Sequence, residues 1–61
     1  MTTENLIKIL LYEQKVEIYS HKLHRSVWNG KVEDIPNCYF DNEVTGLYSL
    51  NDSCIRINII K

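Results

Sequence analysis

The chain has 61 residues, 44% hydrophobic and 25% charged, which fits one small globular domain over 1–61 and excludes a disordered tail or a disulfide-dense toxin. Seven Lys and Arg against eight Asp and Glu give a formal charge of -1, without the basic excess that general nucleic-acid binding needs. A chain this short buries only about 60% of the surface it exposes when unfolded, which leaves little core to hold an enzyme cleft and favours completion by further copies of itself.

Residues 3–12 predict a short helix. Thr2 or Thr3 is a suitable N-cap, Glu4 puts a negative charge in the first turn, and Leu6, Ile7, Leu10 and Leu11 form one apolar face. Residues 15–20 alternate, with Val16 and Ile18 on one side and Glu17 and Tyr19 on the other, the pattern of a strand with one buried face. The polar run 21–25 reads as a hairpin loop or a strand end.

Residues 26–33 predict a second strand carrying Val27, Trp28 and Val32. Asn29-Gly30 fits either a type I′ turn or a bulge within one longer strand. The short segment before Ile35-Pro36 favours the bulge. Asp34 then reads as the N-cap of a single helical or 3-10 turn over 36–40, with one or two of Cys38, Tyr39 and Phe40 plugging the core edge.

Residues 43–50 predict a third strand, with Val44, Gly46, Tyr48 and Leu50 on one face and Thr45, Leu47 and Ser49 on the other. Asn51-Asp52-Ser53 is a turn cluster. Residues 54–60 predict a fourth strand, with Ile55, Ile57 and Ile59 facing the core and Cys54, Arg56, Asn58 and Ile60 facing away. The expected fold is α+β and mostly β: an N-terminal short helix, then a small four-stranded antiparallel sheet, with a short helical turn between strands two and three. Two hairpins leave two edges, and uncovered edges on so small a sheet invite a homodimer or a higher symmetric assembly.

The residues offer little chemistry beyond binding. His21-x-x-His24 with Cys38 and Cys54 lacks the close ligand pairing of a zinc site, so no metal and no other cofactor is expected. No nucleophile elbow accompanies either thiol, no phosphate-cradling glycine loop occurs, and Asp34, Asp41, Glu43 and Asp52 read as cap, loop and turn residues. The protein is therefore expected not to be an enzyme. With no signal-like segment and no apolar run of membrane-spanning length, a cytoplasmic protein with two reduced, buried cysteines is expected. Aromatic and basic residues are the better binding candidates: Tyr19, Trp28 and Tyr48 to stack on a purine, and Arg25, Lys31 and Arg56 to hold phosphate.

The strings Val16-Glu17-Ile18-Tyr19, Trp28-x-Gly30-Lys31-Val32-x-Asp34-Ile35-Pro36, Tyr39-x-Asp41 and Glu43-Val44-x-Gly46-Leu47-Tyr48-Ser49, then Asp52 and Ile55-x-Ile57-x-Ile59, resemble short accessory proteins of phages and prophages of Firmicutes, over roughly residues 5–60. The resemblance transfers no residue roles. It implies an anti-defence setting in the host bacterial cytoplasm. There such a protein either sequesters a nucleotide-derived immune signal between subunits or docks on a host defence protein as anti-CRISPR proteins do. A small structural or regulatory phage module is the third expectation.

Overall fold

The computed structural model describes residues 1–51 and 53–60, so the turn role expected of Asp52 lies outside the described residues. The elements in chain order are α1 (Thr3–Ile7), β1 (Lys15–Ser20), β2 (Arg25–Lys31), two 3-10 turns (Val32–Asp34 and Asn37–Tyr39), β3 (Val44–Asn51) and β4 (Cys54–Ile59). The protein is a small α+β domain, mostly strands.

The sheet is mixed, which corrects the purely antiparallel expectation. Its order is β2-β1-β4-β3, and β1 pairs with β4 in parallel while both hairpins are antiparallel. The cause is the link 32–43. It carries the chain from one edge of the sheet to the other, so that β3 runs in the direction of β2. The link also covers the sheet: Val32 and Ile35 are buried, and Tyr39 and Phe40 pack against the core.

The helix is shorter than its apolar pattern, five residues rather than ten. Beyond Ile7 the backbone is engaged elsewhere. The Tyr12 carbonyl accepts from the Glu33 amide at 3.2 Å, and the Gln14 carbonyl accepts from the Val32 amide at 2.9 Å. Thr2 is the N-cap, its hydroxyl accepting from the Asn5 amide at 3.3 Å. The Thr3 and Glu4 amides, which a helix start leaves without intrahelical partners, donate to the Asn42 and Phe40 carbonyls at 2.9 and 3.1 Å.

One sheet face is closed over its two inner strands. Val16 and Ile18 of β1 and Ile57 and Ile59 of β4 are buried beneath Leu6, Val32 and Ile35. The parallel register sets Val16 beside Ile55 and Ile18 beside Ile57, so the isoleucine face of β4 is the core, as its alternation predicted. Asp34 ends the first 3-10 turn instead of capping a helix, and Pro36 occupies the position before the second. Cys38 is exposed and Cys54 half-buried, so neither thiol is the buried small residue expected; Cys38 lies on the outside of a turn whose inner side is filled by Tyr39.

Bulges reassign several side chains. In β2 the extra residue is Val27, since Ile18 faces Trp28 while Tyr19 faces Ser26. The bulge therefore falls two residues before the expected Asn29-Gly30, and both of those residues pair in the ladder, Gly30 with a φ of +154°. The Tyr39 hydroxyl donates to the Val27 carbonyl at 3.4 Å. In β3, Thr45 and Leu50 are extra, so the alternation expected over 43–50 breaks twice. Leu47 consequently pairs with Ile57 on the core side, whereas Gly46 and Tyr48 pair with Asn58 and Arg56 on the other.

Candidate functional site

The second sheet face is left uncovered by α1 and by the link. The period of two places Lys15, Glu17 and Tyr19 of β1 on it, with Cys54, Arg56 and Asn58 beside them on β4. β3 adds Gly46 and Tyr48, and β2 adds Ser26, Asn29 and Lys31.

At the centre of this face Arg56 organises its neighbours. Its guanidinium carbon lies 4.9 Å from the Tyr19 ring centroid, a cation–π contact. Its Nη2 sits 3.3 Å from Glu17 Oε1, with the two side chains 35% and 18% exposed. Arg56 Nε and Asn58 Oδ1 are buried without a hydrogen-bond partner. An unpaired donor and an unpaired acceptor thus lie in the floor of an otherwise accessible surface, and such groups are costly unless something binds them.

At one end of the face Lys15 stands opposite Lys31. Directly opposed like charges destabilise a sheet. Beside them opens a hollow of about 470 Å³ lined by Lys15, Glu17, Asn29, Asn51 and Cys54. Among the described residues the face therefore carries Lys15, Lys31 and Arg56 against Glu17 alone, in a chain whose overall charge is -1.

Of the six binding candidates, the fold brings Tyr19, Tyr48, Arg56 and Lys31 onto this face. Trp28 is on the other side, opposite Ile18 and packed against the core. Arg25 opens β2 opposite Ser20 and is exposed. Lys15, Glu17 and Asn58 were not singled out from the sequence. The alternation of β1 did mark Lys15 and Glu17 as neighbours of Tyr19, but only the parallel β1–β4 pairing puts them beside Arg56.

The other chemistries have no comparable focus. Among the described residues, no group of three or more His, Cys, Asp or Glu is placed to hold a metal ion. His21 and His24 are exposed in the β1–β2 loop, with ring centroids 6.2 Å apart. Glu43 bonds the Met1 ammonium at 2.8 Å. No helix among the described residues is long and apolar enough to cross a membrane. Compared with family models, curated proteins and solved structures, the chain matches none of them.

Proposed function

We propose that the protein works by binding, without catalysis, and that its uncovered sheet face takes an anionic, planar ligand of nucleotide type. The observation carrying this reading is the concentration of Lys15, Lys31 and the Tyr19–Arg56 stack on one face of a chain that is acidic overall. Phosphate is recognised by the cations, and a base stacks on the open side of the guanidinium or on Tyr48. The lysine pair and Tyr19 are four residues apart along β1, about 13 Å at the usual strand rise, a span suited to an extended dinucleotide-like molecule.

A flat face covers such a ligand on one side only, and a second copy laid over it supplies the other wall. Two cationic faces repel until an anion lies between them, so ligand capture and self-association are coupled. The resemblance to short phage proteins supplies the setting: an anti-defence protein that sequesters a nucleotide-derived immune signal. The test is thermal unfolding with cyclic dinucleotides and ADP-ribose, with light scattering in parallel. A ligand at a hundred times its Kd adds about 2.7 kcal/mol, a rise of about ten degrees or more in a domain this small, together with a doubled mass. No shift with any of these compounds would sink the reading.

A further inference from the structure

The covering layer presents a second surface with opposite electrostatics. Where α1 ends, residues 8–14 turn outward, and Ile9, Leu11 and Tyr12 are 72%, 79% and 74% exposed. The segment is nonetheless fixed, since its Tyr12 and Gln14 carbonyls accept the Glu33 and Val32 amides. Between it and the first 3-10 turn lies a hollow of about 320 Å³, with Ile7, Val32, Ile35 and Phe40 in its wall and Lys8 and Glu33 at its polar side. A preformed apolar hollow beside exposed apolar side chains is the arrangement of a docking site.

Its charge selects the occupant. Segments 1–14 and 32–43 carry Glu4, Glu13, Glu33, Asp34 and Asp41, with Glu43 taken up by the Met1 ammonium, against Lys8 as their sole lysine or arginine. Such a surface repels a second copy of itself, nucleic acid and an anionic membrane alike, and it complements positive charge. We infer that this surface docks a basic, amphipathic segment of another protein. One apolar side chain of that segment enters the hollow, and its lysines or arginines face Glu13, Glu33 and Asp34. Ile9, Leu11 and Tyr12 flank the anchor and exclude water from it. The site is separate from the ligand face and does not depend on it.

Three synthetic amphipathic helices with the same leucine face, and lysine, glutamine or glutamate elsewhere, test the inference against the ¹⁵N-labelled protein. The lysine peptide is expected to shift amides of 7–13 and 32–40 while those of β1 and β4 around Glu17 and Arg56 stay in place. Its affinity should fall about tenfold with Glu33→Lys, and again with Leu11→Ser, both exposed positions whose replacement leaves the core intact; rising salt should weaken it further. The glutamine peptide should bind about tenfold more weakly, and the glutamate peptide not at all. Absence of saturable shifts with the lysine peptide at millimolar concentration overturns the inference, as does equal binding of all three peptides. So does movement of the 7–13 amides on diluting the protein alone, which assigns the surface to a second copy.

Discussion

Lys15 and Lys31 face each other across the end of the β1–β2 ladder, and no carboxylate among the described residues forms an ion pair with either. The opposition costs stability and concentrates positive charge. Lys31→Glu is therefore expected to stabilise the fold by about 0.2–1 kcal/mol while weakening the nucleotide response. Urea unfolding with and without ligand measures both effects. A variant that loses stability and keeps its ligand response removes the lysine pair from the site.

Arg56 and Glu17 give a second, opposed pair of outcomes. Their ion pair is partly solvated, so its loss costs no more than about 1 kcal/mol. Arg56→Ala should fold and lose the ligand-induced rise in melting temperature. Glu17→Gln, which frees the guanidinium, should bind anions more tightly. Calorimetric titration of both variants checks the order; tighter binding by Arg56→Ala would contradict the role assigned to the guanidinium.

Trp28 lies across Gly30, where an added Cβ would meet the ring at 2.9 Å from Cη2, and the Gly30 φ of +154° is one that side-chain-bearing residues rarely adopt. Gly30→Ala is expected to destabilise by about 1–3 kcal/mol and to change the emission of the single tryptophan. Thermal unfolding followed by Trp28 fluorescence reads both at once.

Ile57 is completely buried in β4, between β1 and β3. Ile57→Ala should cost about 2–5 kcal/mol, against a total stability of about 3–9 kcal/mol for a chain of this length. Circular dichroism in urea should show a large loss of midpoint or no folded baseline. Ile9→Ala, at an exposed position, should change little.

Cys38 is exposed on the second 3-10 turn, whereas Cys54 is half-buried beside the hollow at Lys15. Iodoacetamide should therefore label Cys38 first, as peptide mass spectrometry of a time course reports. Ligand on the open face should slow labelling of Cys54 alone.

Strands were legible where alternation ran unbroken. Val16, Ile18, Ile57 and Ile59 announced their burial by a period of two, and the structure places all four in the core. In β3 the string Val44 to Leu50 reads as equally regular, but bulges at Thr45 and Leu50 invert the faces, and nothing in those side chains marks an extra residue. The helix pattern over 3–12 was real as an apolar stripe. Its second half serves as a loop because backbone pairing to Val32 and Glu33 outcompetes a helix that is marginal at this length. Tyr19, Tyr48 and Arg56 could be chosen by residue type, but their convergence depends on strand order, which local pattern does not encode.

That strand order governs how the molecule is born. Residues 54–59 form an inner strand of the sheet, flanked by segments made some ten and forty residues earlier. During translation β1 and β2 emerge with one side of β1 still bare, and it stays so until residues 54–59 are made. The central β1–β4 pairing is thus a contact between segments about forty residues apart, the kind of non-local pairing that slows folding, and it forms only after β4 is made.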